Sequence, residues 1–179
     1  MQSKELILTE QKVIVGDIRN QYSNIDSDKI SESLRKDLEK TTFGISNKFY
    51  DINLTYHGQH SWIYDLIQQQ IFTYHNINYK NINCWGNLET FNESSITRNN
   101  LFLEDVHNQP WFTLIYILKA GENPGELILK YQKPTQRYFY QNLNVQEGNF
   151  YLFNSNIDYF FSKNLDKKDR EYITWTCLK

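Results

Sequence analysis

Cysteine is nearly absent from this chain: Cys84 and Cys177 are the only two. Two thiols build no disulfide framework, and these lack metal-ligand spacing. Both stand in apolar, strand-like runs, so they read as buried, reduced side chains. Histidine is scarce too, with His57, His60, His75 and His107 and none beyond. His57 and His60 stand three apart, but no cysteine or acidic partner follows at ligand spacing, so they read as loop residues rather than a zinc pair. His75 ends a helical pattern, where a cation favours the macrodipole. No apolar run approaches the ~20 residues that span a bilayer. The first residues, MQSKELILTEQKVIVG, show no apolar h-region and no small-residue cleavage site, which predicts no secretion signal. Asn53-Leu54-Thr55 and Asn92-Glu93-Ser94 match the glycosylation pattern but read as chance matches in that context. The formal net charge is −2, which supplies no basic field for nucleic acid or an anionic membrane. A glycine-rich phosphate loop, a nucleophile–base motif and a basic–aromatic stripe are all missing.

What is present points to a packed globular protein. Aromatics make up 16% of the chain, with 13 Tyr and 11 Phe, too many for a disordered segment. A length of 179 residues suits one domain around one sizeable core. The composition holds 20 Asn, 18 Ile and 14 Lys against 5 Arg, the bias of an AT-rich genome such as that of a microbe or its phage.

Residues 5–16 alternate loosely and read as one or two strands. SDKISESLRKDLEKT sets Ile30, Leu34 and Leu38 on one face of a helix that Ser27 or Asp28 caps. Thr42 to His60 is irregular, with a strand expected over Phe49–Tyr56. Ser61 caps a second helix whose stripe is Trp62, Ile63, Leu66, Ile67 and Ile71. A strand centred on Ile82, Cys84 and Trp85 follows, and Asn92 to Asn100 reads as a polar loop. Trp111–Leu118 is apolar on both faces, as a central, doubly covered strand requires. Further strands are expected over Glu126–Tyr131, Arg137–Tyr140, Asn149–Phe153, Ile157–Ser162 and Glu171–Leu178. Turns fall at Glu122–Gly125, Glu147–Gly148 and Asn164–Asp169. Trp62, Trp85, Trp111 and Trp175 are assigned to the core. Many short strands behind two helices predict a mainly β jelly roll, two antiparallel sheets with both helices on an outer face. The whole chain, 1–179, is read as a single domain, with 1–78 as strand and helical support and 79–179 as the jelly-roll core.

Three pieces of the last third carry a resemblance: LFLEDVHNQPWFTLIYIL, PGELILKYQ and EGNFYLFNSNIDYFFSKNLDKKDREYITWTCLK. Their order from Tyr79 to Lys179 resembles the double-stranded β-helix of the 2-oxoglutarate and Fe(II)-dependent oxygenases. In that family a His-x-Asp motif precedes an aromatic apolar strand like FTLIYIL. A Gly-x-Leu strand follows, like Gly125-Glu126-Leu127, and then a glycine-led strand ending in Phe, like Gly148 to Phe153. A distal histidine and then an arginine opening the last strand complete the pattern. The resemblance implies Fe(II) and 2-oxoglutarate as cofactors. Two imidazoles and a carboxylate on one face leave open positions for O₂ and the 2-oxoacid. A permanently charged, bidentate arginine holds the far carboxylate of the cosubstrate.

The chain departs from this pattern. Leu103-Glu104-Asp105 falls where His-x-Asp is expected, and Leu103 ligates nothing. A register two residues later puts Asp105-Val106-His107 over a His-x-His variant, which makes Asp105 and His107 the candidate metal ligands. The distal position falls on Tyr159. Arg170, with Thr174 four residues on along the same strand face, is the candidate cosubstrate site. Its alternative role is an ion pair with Asp166, Asp169 or Glu171. The expectation is therefore a non-catalytic oxygenase-like module, structural or binding, with no cofactor bound and with protein partners or a second copy of itself. Cytoplasm or a virion is its expected place. The competing expectation is an active Fe(II)/2-oxoglutarate-dependent hydroxylase with unusual ligands, and a cupin-like binder of sugars or small acids is a third class.

Overall fold

Residues 4–8, 11–19, 22, 25–41, 48–51, 59–101, 109–132 and 137–179 are described in the computed structural model of the chain. His57, Asp105 and His107 lie outside them, as does most of the strand expected over Phe49–Tyr56. The N-terminal elements are β1 (Lys4–Leu8), β2 (Gln11–Asp17), α1 (Ser27–Thr41), β3 (Lys48–Asp51) and α2 (Gln59–His75). The jelly roll continues through β4 (Lys80–Glu89), β5 (Phe112–Lys119), β6 (Glu126–Gln132) and β7 (Tyr138–Asn144). It closes with β8 (Asn149–Asn154), β9 (Asp158–Phe161) and β10 (Arg170–Leu178).

The strands form a larger sheet, β1-β2-β8-β5-β10-β4-β3, and a smaller one, β7-β6-β9. Every pairing is antiparallel, and the first core strand, β4, lies beside the last, β10. The stretch after β4, expected as a plain polar loop, adds to the smaller sheet. Arg98 and Tyr159 exchange backbone hydrogen bonds of 2.8 and 2.9 Å, and the Ser95 amide donates to the Phe161 carbonyl at 3.2 Å.

Alternation sorts the larger sheet's side chains onto two faces. Leu114, Tyr116 and Leu118 of β5, Phe150 and Leu152 of β8, and Ile173, Trp175 and Cys177 of β10 point outward. They meet Ile30 of α1 and Ile63, Tyr64, Ile67 and Ile71 of α2, so both helices lie on the outer face as the sequence predicts. Ile115, Ile117, Tyr151 and Phe153 point inward and pack against Leu127, Leu129 and Phe161 of the smaller sheet. Burying one such side chain contributes about 1.5–3 kcal/mol. Cys84 and Cys177 are free and buried on the helix side, as expected.

The helices end where local chemistry ends them. Asp26, one residue before the expected cap, accepts the Lys29 amide at 3.0 Å and so holds the first turn of α1. Asn76 adopts a left-handed φ of 54° after α2, and its amide bonds the Phe72 carbonyl at 2.9 Å. Arg35 ties α1 to the sheet. Its guanidinium contacts Asp169 at 2.8 Å and Glu171, which also accepts the Ser31 hydroxyl at 3.0 Å. Of the four tryptophans assigned to the core, only Trp175 is fully enclosed. Trp62 sits in the first turn of α2 and Trp111 just before β5, where neither has a second layer to cover it; both are exposed.

Candidate functional site

The inward faces of β4 and β10 carry a row of polar groups in an interior that is otherwise mostly apolar. Register explains the arrangement: Glu89 stands directly across from Arg170, Asn87 from Tyr172 and Trp85 from Thr174. Residues two apart on each strand share the inward face, which makes Arg170, Tyr172, Thr174 and Thr176 one row. Neighbouring strands cover every member of that row, and all four are buried.

Arg170 lies at the deep end of this row with none of its surface exposed. Its Nε donates to Glu89 Oε2 at 2.7 Å, and Nη2 also reaches that carboxylate and the Ser162 carbonyl, the latter at 2.9 Å. Nη1 donates to the Pro124 carbonyl, and the guanidinium carbon sits 4.6 Å from the centre of the Phe161 ring. The other Glu89 oxygen accepts the Tyr172 hydroxyl at 2.9 Å. Burial lifts the Glu89 carboxyl above the ordinary glutamate range, and the charge and hydrogen bonds of Arg170 pull it back. Burial also drives the Tyr172 phenol well above its ordinary value, and the Glu89 charge pushes the same way. Gly125 makes the cage possible. Its φ is 79°, and a Cβ there would stand 2.5 Å from the Lys163 carbonyl and 3.0 Å from Arg170 Nη1.

A second cluster lies further along the row, around Tyr159. Arg98 Nη1 donates to Asn87 Oδ1 at 2.8 Å, and Asn87 Nδ2 donates to Thr174 Oγ1 at 3.2 Å. Asn100 Nδ2 donates to Thr113 Oγ1 at 3.0 Å and to the Tyr159 hydroxyl at 3.2 Å, and Thr113 bonds Ser155 at 3.1 Å. Tyr159 is enclosed and its phenol is raised by burial, against which the Arg98 charge and bonds to Asn100, Arg98 and Thr174 act. Nearer the far end of β10, Trp85 Nε1 and Thr176 Oγ1 are buried without a hydrogen-bond partner.

The structure therefore brings two of the four sequence-derived candidates, Arg170 and Thr174, to one inward face. Asp105 and His107 lie outside the described residues. The partner of Arg170 is Glu89 rather than Asp166, Asp169 or Glu171: Asp169 and Glu171 go to Arg35, and Asp166 caps the backbone amides of Glu122 and Lys168 at 2.8 Å each. Sequence reasoning missed Glu89, Asn87, Arg98 and Asn100. The only signal for Glu89 was its place two residues after Asn87, on the same face of the strand.

The groups of an iron and 2-oxoglutarate centre do not fit what the described residues present. A cosubstrate carboxylate would meet at Arg170 a guanidinium whose charge Glu89 already balances and whose three nitrogens each donate to Glu89 or to a carbonyl. Around Tyr159 the side chains are amides, hydroxyls and the guanidinium of Arg98, and a cation beside a divalent metal is repelled. Among the described residues, no three His, Cys, Asp or Glu side chains are grouped to hold a metal ion.

The sequence matches no family model and no curated protein. Solved structures do match. A prolyl-4-hydroxylase of Pseudomonas putida superposes at a TM-score of 0.62 with 10% identity, covering 96% of this chain and 95% of that one. An oxidoreductase of the 2OG-Fe(II) oxygenase family from Burkholderia pseudomallei gives 0.65 with 10% identity over 92% and 83%. A viral collagen prolyl hydroxylase from Paramecium Bursaria Chlorella virus-1 gives 0.60 with 11% identity over 93% and 90%. At such identities the likeness is one of fold. Two facing antiparallel sheets, helices on the larger one and an arginine opening the last strand agree with it, and the chain has the double-stranded β-helix fold of the 2-oxoglutarate and Fe(II)-dependent oxygenase superfamily.

Proposed function

We propose that this chain is a non-catalytic member of that fold, a structural or binding module that works through protein partners or a second copy of itself. The observation that carries the reading is Glu89 on Arg170. An oxygenase keeps this arginine available for an incoming dicarboxylate; here a carboxylate of the chain itself, across one strand pairing, takes its charge. A surface for partners is at hand. Tyr138 and Tyr140 stand exposed on β7, an outer strand of the smaller sheet, and Trp111 is exposed beside a cleft of about 580 Å³ that Phe112, Asn154, Asn156 and Lys179 also line. The asparagine- and lysine-rich composition supports a microbial or phage source and, with it, a place in the cytoplasm or in a virion.

The test is anaerobic calorimetry of the purified protein with Mn(II) or Fe(II), with and without 2-oxoglutarate, alongside an assay for succinate release. The expected result is no succinate and no heat from 2-oxoglutarate at high micromolar concentration. Metal binding that strengthens with 2-oxoglutarate, accompanied by succinate release, would assign the hydroxylase reading instead, with Asp105 and His107 as ligands. Light scattering and pull-down with immobilised chain then separate self-association from capture of a partner.

A further inference from the structure

We infer that the three places where this fold would build its metal ligands are held here by Arg98, Asn100 and Tyr159, and that a fixed guanidinium stands there in place of a metal ion. This rests on the reading above that the chain belongs among the non-catalytic members of the fold. It moves the ligand register away from Leu103–Asp105 and from Asp105–His107.

The geometry leads there from one starting point, the distal position at Tyr159. Three ligands of one ion must converge, so the remaining pair must lie on the strand beside Tyr159 and on the same face. One neighbour, β6, sets the apolar Leu129 across from Tyr159 and offers no ligand; the other is the stretch through Arg98, which pairs with Tyr159 through backbone bonds in both directions. Residues two apart on an extended strand share a face. Arg98 and Asn100 both turn inward, to Asn87 and to Thr113 with Tyr159. Asn99 between them turns the other way, to Asp158 at 2.8 Å and the Asn156 carbonyl at 3.3 Å. An i, i+2 pair facing Tyr159 is the spacing His-x-Asp requires, and the residues on it are Arg98 and Asn100.

The substitutions act as a set. Arginine for a metal ligand brings a positive charge into the site, and it needs oxygen acceptors nearby to be buried. Asn87 Oδ1 is one such acceptor, and Glu89 lies close enough for its carboxyl to feel the Arg98 charge. Asparagine for a carboxylate removes the anion that would have held the ion. The Asn100 amide instead donates to two hydroxyls at once. Tyrosine for the distal imidazole places an oxygen where Asn100 reaches it. Asn87 bonds Arg98 and Thr174, and Asn100 bonds Thr113 and Tyr159, without an ion.

The experiment compares two registers by titration with Mn(II) and Co(II), read by calorimetry and by the visible absorption of protein-bound cobalt. R98H/N100D/Y159H is expected to bind one ion at least tenfold tighter than the wild type, because two imidazoles and a carboxylate then converge. L103H/Y159H, which keeps Asp105, is expected to gain nothing. Should the triple variant fail to fold, R98H/Y159H sets two imidazoles across the same pairing, and at least a tenfold gain in Co(II) affinity is expected there. A folded Arg98-register variant with no gain overturns the inference, as does a gain confined to L103H/Y159H. Wild-type metal binding lost in D105A or H107A, without succinate release, overturns this register while leaving the non-catalytic reading standing. Succinate release by the wild type overturns the non-catalytic reading itself.

Discussion

Replacing Glu89 by alanine asks whether the buried pair is as closed as it looks. In the E89A variant the Arg170 guanidinium keeps the Pro124 and Ser162 carbonyls and loses the one anion paired with it among the described residues, with no solvent to replace it. Removing one partner of a buried ion pair costs about 3–5 kcal/mol. The Tyr172 hydroxyl also loses its acceptor, which adds about 1–3 kcal/mol. Against a typical total of about 5–15 kcal/mol, E89A should be marginal or unfolded at room temperature. E89L/R170M removes both charges and should recover most of the loss, since an apolar pair of similar volume is often neutral. Urea denaturation followed by circular dichroism measures all three proteins. Formate or acetate should raise the E89A midpoint specifically, by occupying the vacated carboxylate place, and leave E89L/R170M unmoved. An E89A variant within about 1 kcal/mol of wild type would refute the reasoning, because a paired, desolvated arginine cannot lose its anion so cheaply. So would a wild-type midpoint that rises with 2-oxoglutarate.

Three further outcomes follow from the same structure. Gly125→Ala forces a side chain into a left-handed conformation and against the Lys163 carbonyl, so the urea midpoint should fall by the equivalent of about 1–2 kcal/mol or more. Arg35→Ala leaves Glu171, itself fully buried, with only the Ser31 hydroxyl. With Arg35 partly exposed, the loss should be about 1–3 kcal/mol, read as a lower thermal midpoint. The third concerns alkaline pH. Burial raises the phenols of Tyr64, Tyr79, Tyr116, Tyr151, Tyr159 and Tyr172, with Tyr151 pushed up to about 12. The folded state thus holds protons that the unfolded chain releases near pH 10, so stability is intact below pH 10 and falls above it by about 1.4 kcal/mol per pH unit for each phenol. Tyrosinate absorbance from these residues should appear together with loss of circular dichroism between pH 10 and 12; ionisation well before unfolding would contradict their burial.

The fold was legible because its strands bury apolar residues. FTLIYIL is apolar on both faces because one face meets the helices and the other meets the smaller sheet. The helices showed themselves by spacing, and the turns by Pro124-Gly125 and Gly148. The site was legible only in part. Arg170 stood out as a charge opening an apolar strand, but its partner lies 81 residues earlier and no local pattern links the two. The stretch at 95–100 read as a loop because strand periodicity is detected through apolar residues. This stretch turns its side chains into a polar interior, so the alternation carries no hydrophobic signal. Trp62 and Trp111 misled for the opposite reason: residue type favours burial, but position at an element's end left each without cover.

A catalytic barrel must leave some of its strongest groups incompletely bonded, because substrates and ions supply the missing partners. In this interior several of the strongest groups are already bonded by the chain itself. Arg170 has a carboxylate, two carbonyls and an aromatic face; Arg98 has an amide oxygen; Asn100 has two hydroxyls. Each bond by itself adds only about 1 kcal/mol net, but leaving any of these buried groups unmade costs more than that. Such bonds favour one sheet register, and an incoming ligand would have to break them. Buried polar atoms without a hydrogen-bond partner also stand at Trp85 and Thr176, the latter about 20 Å along β10 from Arg170, and Trp111 is exposed at that end. If the chain recognises anything at the barrel, the exposed Trp111 at that end offers it surface, and the buried Arg170–Glu89 pair ties the neighbouring strands β10 and β4 in register.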